Sequence, residues 1–247
     1  MSDLGLAGRH LLITGAGGLG RILTVLAIDV GMRVTLVDRD PAALSSLADH
    51  PSLQRLNYDV GDLAENASLL ADAVAGHGPI DAFSPTAAVI RRQHDLAQIT
   101  EADWDAQVDV NQKSVYFLTR DVAEHMKANG GGSIALVASA AGVTGGVQGT
   151  TVYGASKAAV LGFMHGFARL YASHGVRVNA VVPGTMDTPM LWIGQTEESA
   201  AAVHSIAGLG RVGQPVDVAR PILFLLSDWA SYITGHSLDV DGGWLYR

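Results

Sequence analysis

No cysteine occurs among the 247 residues, which excludes disulfides, thiol catalysis and cysteine-ligated metal. Charge is sparse as well: Asp, Glu, Lys and Arg make up 16% of the chain and leave a formal net charge of −8. No Lys/Arg cluster offsets that acidity, so nucleic acid is not an expected partner. The nine histidines are scattered without an HExxH spacing, and no metal site is expected. No uninterrupted apolar run reaches the ~18 residues that a membrane span requires, so no membrane partner is expected either. The N-terminus enters a strand-like pattern within about ten residues, without the basic and apolar regions of a secretory leader. These absences point to a soluble, cytoplasmic protein. What is present is material for a core, 48% apolar residues in a chain long enough for one large α/β domain or two small ones.

Residues 9–14 read RHLLIT, a short apolar run that stops in the glycine cluster GAGGLG. A helical pattern over 19–30 follows, then a second strand pattern over 33–37 that ends at Asp38. This is a βαβ unit of roughly 30 residues with a glycine turn after its first strand. Glycines tighten such a turn and let backbone approach a pyrophosphate, while the helix N-terminus offers free N–H groups to the anion. The candidates are Gly15, Gly17, Gly18, Leu19 and Gly20. Asp38 can accept hydrogen bonds from an adenosine ribose 2′-hydroxyl and would repel a 2′-phosphate, which favours NAD over NADP; adjacent Arg39 pulls the other way.

The alternation continues to the end of the chain. Further strands are expected at 53–58, at 80–83 with Pro85 cutting it off, in a run leading to Ser139, at 176–182 and at 237–240. Helices are expected at 62–75 with Asp62 as N-cap, at 101–129 with a break near Asn111, and from Pro215 to about Leu226. Residues 185–210 mix helical patches with turn residues and are the expected substrate cap. With no linker or repeat, the pattern predicts one α/β domain over 1–247. It is a Rossmann-type, doubly wound parallel sheet of about seven strands with helices on both faces and ligands at the carboxyl ends of the strands.

The stretch 139–157, SAAGVTGGVQGTTVYGASK, carries the chemistry. Tyr153 and Lys157 are four residues apart and share one helix face. A phenol, with an ordinary pKa of about 10, is a poor base at neutral pH. A nearby ammonium should pull that value down. Ser139 can bring a hydroxyl to the same point. The three suit proton transfer to or from an alcohol, although a Tyr-x-x-x-Lys pair can also be an ordinary exposed helical pair. Its chance occurrence here is on the order of 0.1, so its weight comes from its surroundings.

Those surroundings are specific. TGAGGLG at 14–20, Asp38, DVGD at 59–62, Asn111, Ser139, YGASK at 153–157, VNAVVPG ending at Gly184 and ITGHSLDVDGG at 233–243 resemble the short-chain dehydrogenase/reductase family over essentially the whole chain. The resemblance implies Tyr153 as acid/base, Lys157 as tuner of the phenol and holder of the nicotinamide ribose, and Ser139 as hydrogen-bond partner of the substrate oxygen. It also implies that Asn111 kinks its helix and serves a proton relay. Asp59 and Val60 would flank the adenine, Ala87 would lie beside the cofactor ribose, Pro183 and Gly184 would complete the cofactor set, and Thr188 would reach the nicotinamide amide. Members usually form dimers or tetramers, so a homo-oligomer is expected, packed partly through the helices bearing Asn111 and Tyr153. Two departures stand out. The family spaces its glycines as TGxxxGxG, one residue longer than here. Its Asn-Asn-Ala-Gly after the fourth strand is Pro85-Thr86-Ala87-Ala88, which puts a methyl where backbone passes close and is expected to cost some cofactor affinity.

Substrate signals divide. Arg91 and Arg92, in AAVIRRQHDLAQITEADWD, resemble the corresponding loop of gluconate 5-dehydrogenases and 2-dehydro-3-deoxy-gluconate 5-dehydrogenases, and a guanidinium binds a carboxylate bidentately. The plain alternative is a solvated surface pair. Met190 and Trp192, with Met186, Leu191 and Ile193, would equally suit a cap over a hydrophobic alcohol or ketone. Two other functions compete: a dehalogenase or lyase on the same scaffold, against which Lys157, Asp38 and the glycines argue, and a regulator that binds NAD without catalysis.

Overall fold

A computed structural model describes residues 4–147, 149–203 and 207–246. Gln148 in the stretch 139–157, residues 204–206 of the expected cap, and residues 1–3 and 247 of the expected domain lie outside the described residues. The chain opens with strand β1 (His10–Thr14), helix α1 (Gly18–Asp29), β2 (Arg33–Asp38), α2 (Pro41–Ser45) and β3 (Leu53–Asn57). After α3 (Asn66–His77) come β4 (Ala82–Pro85), α4 (Glu101–Val108), a π-turn (Asp109–Lys113) and α5 (Ser114–Ala128). The second half holds β5 (Gly132–Val137), α6 (Ala140–Thr144), α7 (Thr151–Tyr171) and β6 (Val176–Pro183). It closes with α8 (Pro189–Trp192), α9 (Glu197–Ala202), α10 (Pro215–Leu226) and β7 (Ser237–Val240).

All seven strands are parallel in the order β3-β2-β1-β4-β5-β6-β7. The chain winds outward from β1 to β3, then returns to the other side of β1 with β4. Strand order therefore reverses between β1 and β4, where the turns after these strands part to leave a crevice. Alternate residues of each strand serve opposite faces. Leu12, Phe83, Ile134 and Val178 pack under α3, α5 and α7, while Leu11, Ile13, Ala82 and Val181 pack under α1 and α10. Burial on both faces explains why the strands read as apolar runs rather than alternating patterns.

Several expectations meet corrections. Pro85 does not stop the fourth strand but closes it, opposite Thr14. The Thr14 carbonyl is satisfied instead by Thr86, whose backbone N–H and Oγ1 each donate to it at 2.8 Å. Asp62 caps a short 3₁₀ turn, accepting from Ala64 N, and the α-helix starts four residues later at Asn66. The expected break near Asn111 is a π-turn. Helices α2 and α6 had no counterpart in the sequence reading; each is five residues long and capped by a side chain, Asp40 and Ser139 respectively.

At the amino end of β1, far from the crevice, the buried His10 ring donates from Nδ1 to the Gly78 carbonyl (2.9 Å), with Nε2 2.8 Å from Thr35 Oγ1. Burial pushes its pKa down to about 4, despite the Gly78 bond. Between pH 4 and 6.5 the unfolded chain therefore binds more protons than the folded one. His10's contribution to stability is complete above pH 6.5 and is lost as pH falls towards 4, on the order of 3 kcal/mol in all. Urea titrations at pH 7 and pH 4.5 should show that loss, and His10→Gln should flatten it.

Candidate active site

The turn after β1 holds three residues, Gly15, Ala16 and Gly17, before α1 begins. Its tightness rests on close approach. Gly15 has φ +90°, and a Cβ there would lie 2.6 Å from Ala87 N. A Cβ on Gly20 would collide with the Gly15 carbonyl, and one on Gly18 would lie 2.9 Å from Thr188 Cγ2. Gly17 differs: it is the N-cap of α1 at an ordinary φ of −71°, and among the described residues a Cβ there would meet no atom within 4 Å beyond its chain neighbours. Helix α1 starts directly after this turn, which is one residue shorter than the family spacing.

Three side chains hold this turn. Thr86 Oγ1 reaches the carbonyls of Thr14 (2.8 Å) and Gly15 (3.0 Å). Asp38 Oδ2 accepts from Ala16 N (2.7 Å), while Oδ1 accepts from Asp40 N (2.8 Å). Thr188 lies against Gly18. Thr86 was not singled out in the sequence; a hydroxyl directly after Pro85, where the strand's own N–H is missing, was the signal available.

The crevice at the β1/β4 switch encloses about 380 Å³. Its walls include Gly15, Gly17, Gly18, Leu19 and Gly20 from the turn. Asp38, Arg39, Asp59 and Val60 come from the ends of β2 and β3, and Ala87 from the loop after β4. The other side is formed by Ser139, Tyr153 and Lys157, by Pro183 at the end of β6 with Gly184 and Thr188 beyond it, and by Met190 of the cap. Among the described residues Arg39 pairs with Asp59 at 3.5 Å, an exposed ion pair. Val89, Met186, Pro189 and Ile193 also line the space, so the cap's apolar face is real.

The catalytic candidates meet there. Ser139 caps α6, with Oγ accepting from Ala141 N (3.1 Å), and it hydrogen-bonds the Tyr153 side chain. Lys157 is buried; its Nζ donates to the Val137 carbonyl at 2.9 Å and stands 5.8 Å from the centre of the Tyr153 ring. The electrostatics correct one expectation. Burial pushes the Tyr153 phenol up to about 12, opposed by the Ser139 hydrogen bond and by the charge of Arg92. Lys157 is itself pulled down to about 8 by burial. Desolvation therefore outweighs the neighbouring amine, which is aimed at a backbone carbonyl rather than at the phenolic oxygen.

Other candidates lie elsewhere. Asn111 is fully buried in the π-turn, with Oδ1 accepting from Val89 N (2.8 Å) and Nδ2 donating to Val89 O (2.8 Å) and Ser156 Oγ (3.3 Å). It ties the loop after β4 to α7 and does not line the crevice. Arg91 is exposed and lines an adjoining recess with Val89, Met190 and Ile193. Arg92 donates to carbonyls of the cap. Trp192, expected over the substrate, is 44% exposed and is not part of the crevice wall; Ile193 takes that place. Among the described residues no three His, Asp or Glu side chains are arranged to hold a metal, and no helix is long and apolar enough to cross a membrane.

Comparison with known proteins gives consistent results. A family model described as enoyl-(acyl carrier protein) reductase matches residues 15–245. A 3-oxoacyl-[acyl-carrier-protein] reductase of Thermotoga maritima is 36% identical over 244 residues, covering 96% of this chain and 98% of the relative. A 2-dehydro-3-deoxy-D-gluconate 5-dehydrogenase of Dickeya dadantii is 32% identical over 253 residues, covering 100% and 99%. Among solved structures, a proposed NAD(P)-dependent gluconate 5-dehydrogenase from Beutenbergia cavernae, with NADP bound at low occupancy, superposes with a TM-score of 0.90. It is 31% identical, with 98% of this chain and 99% of that one covered.

Proposed function

Since the chain belongs to the short-chain dehydrogenase/reductase family and is an oxidoreductase acting on CH–OH groups, we propose that it interconverts a secondary alcohol and a ketone on a sugar acid, with NAD as cofactor. The observation that carries this reading is the convergence of the Tyr153, Ser139 and Lys157 side chains on the crevice that also holds the glycine turn and Asp38. The crevice fits a dinucleotide. A side chain on Gly17 would enter open space rather than packing, and α1 has no side-chain cap on its first-turn N–H groups. Those N–H groups and Gly17 would hold the pyrophosphate, Asp38 the adenosine ribose, Asp59 and Val60 the adenine edge, and Lys157 and Thr188 the nicotinamide half. The bound nicotinamide supplies or accepts the hydride.

The chain's own part is proton transfer and orientation. With its pKa near 12, the Tyr153 phenol is protonated at neutral pH and stands ready to donate to a ketone oxygen. Ser139, already hydrogen-bonded to that phenol, would hold the same oxygen and stabilise charge developing on it. In the alcohol-to-ketone direction Tyr153 must first lose its proton. Asp38 favours NAD because its carboxylate, fixed by two backbone N–H groups, would stand against a 2′-phosphate.

The sugar-acid assignment is supported by the Dickeya and Beutenbergia relatives and by Arg91, whose exposed guanidinium lies beside the cap residues Met190 and Ile193. A second reading, a hydrophobic ketone or acyl thioester, is favoured by Met186, Met190 and Ile193 in the wall and by the Thermotoga relative. We also take the protein to be a cytoplasmic homo-oligomer, dimer or tetramer, which would cover the exposed Trp104, Tyr116 and Leu170 of α4, α5 and α7.

One set of assays tests these assignments. NADH should bind at least about tenfold tighter than NADPH, because a carboxylate facing the 2′-phosphate costs more than 1.4 kcal/mol. Turnover should appear with aldonic or keto-deoxy sugar acids, and Arg91→Ala should raise their KM about 10- to 100-fold without affecting neutral alcohols. Tighter NADPH binding would overturn the cofactor assignment. Turnover confined to apolar ketones would favour the second reading.

A further inference from the structure

We propose that Arg92 is a positioning residue, a clasp that holds the cap segment 189–194 over the crevice beside the Tyr153 phenol. The inference rests on the reading of Tyr153 as acid/base. Helix α8 is only four residues long, and its last carbonyls are reached from beyond it, Trp192 O by Gln195 N at 3.5 Å and Leu191 O by Gln195 Nε2 at 3.0 Å. The Arg92 fork supplies donors there: Nε donates to Ile193 O at 3.0 Å and Nη2 to Leu191 O at 3.3 Å, about a hundred residues along the chain. The next contact repeats the grip, with His94 Nε2 3.2 Å from Gly194 O. Gly194 itself has φ +65°, and a Cβ there would lie 3.0 Å from Arg92 Cβ.

Between these two grips the loop turns to the other side. Gln93 N donates to Gly149 O at 2.9 Å, and a Cβ on Gly149 (φ +79°) would lie 2.8 Å from the Gln93 carbonyl carbon. Gly149 leads directly into α7, which carries Tyr153 and Lys157. Residues 92–94 thus hold the cap with one hand and the approach to the catalytic helix with the other.

Ser139 hydrogen-bonds the phenol and Arg92 adds its charge from this loop, while Lys157 lies against the ring with Nζ turned to Val137 O. The guanidinium is the one whose place depends on the cap. With the cap seated, its charge favours the phenolate; burial of the guanidinium works against its own charge, and the phenol offsets part of that cost. Seating of the cap and acidity of the phenol are therefore coupled. Nε and Nη2 of Arg92 are engaged by cap carbonyls, whereas Arg91 is exposed beside the cap and is the cation proposed for a substrate carboxylate.

The test compares Arg92→Met with Arg92→Lys. In cofactor-free protein, thermolysin should cut within 189–194 at least about tenfold faster in both variants, because each loses the two-pronged grip. In the alcohol-oxidising direction, the rising limb of the kcat profile should move up by at least about half a pH unit in Arg92→Met and by less in Arg92→Lys, which keeps the charge but not the grip. Unchanged cleavage together with an unchanged pH limb in Arg92→Met overturns the proposal. If Arg92→Met does not fold, the cleavage rate of Arg92→Lys decides it. Should Tyr153 prove dispensable, the cleavage measurement still stands, so failure of the clasp and failure of the acid/base reading remain distinguishable.

Discussion

Tyr153→Phe is expected to lower kcat by about 10³-fold or more, while NAD binds with affinity within about threefold of the parent. The substitution removes one oxygen and leaves the ring where it is, half-buried at the crevice wall. Binding should survive because the glycine turn and Asp38, not the phenol, would carry most of the dinucleotide's contacts. The parent enzyme should also show an asymmetry between directions. Ketone reduction needs the protonated phenol and should be nearly flat from pH 6 to 8. Alcohol oxidation needs the phenolate, present only in traces well below a pKa near 12, and should rise about tenfold per pH unit. Substantial turnover in Tyr153→Phe would remove the acid/base assignment. An oxidation rate independent of pH from 6 to 8 would instead mean that in the working complex the phenol titrates below that range, under even its ordinary value of about 10.

Gly17→Val should abolish measurable NAD binding, a loss of at least about 100-fold, and leave the melting temperature within about 2 °C of the parent. The contrast with Gly20 gives the experiment its force. Gly17 has a φ that any residue adopts, and among the described residues its added Cβ meets no atom beyond its chain neighbours. A valine there would project into the space the pyrophosphate needs. A Cβ on Gly20 would instead collide with the backbone of Gly15 and with Thr86 Oγ1. Gly20→Ala should therefore destabilise the fold by about 1–3 kcal/mol, whatever it does to binding. Calorimetric titration with NADH and thermal melts of the two variants separate the effects. A Gly17→Val protein that still binds NADH would show that the dinucleotide lies elsewhere.

Much of this architecture could be read from residue order. The glycine turn, Asp38 at the next strand end and the Tyr-x-x-x-Lys spacing are local patterns whose geometry follows from helix and strand periodicity. Helix α10 runs from Pro215 to Leu226 and β7 from Ser237 to Val240 as expected, because a proline at a helix start is a local signal. The π-turn was legible as a break near Asn111. What was not legible depends on distant partners. Pro85 could stay in β4 only because Thr86 replaces the missing donor. The Arg92 fork meets carbonyls about a hundred residues away, so the pair at 91–92 read as two equivalent cations when only one is committed to the cap. The direction of the Tyr153 shift was misjudged because spacing shows that an amine is near, whereas burial is a property of the assembled crevice.

The bracing of the shortened turn by Thr86, Asp38 and Thr188 has a kinetic corollary. A socket set in advance spares its guest the entropy of ordering a floppy loop. Dinucleotide capture should then be paced by encounter, rising linearly with concentration in a stopped-flow trace without levelling at a loop-rearrangement rate.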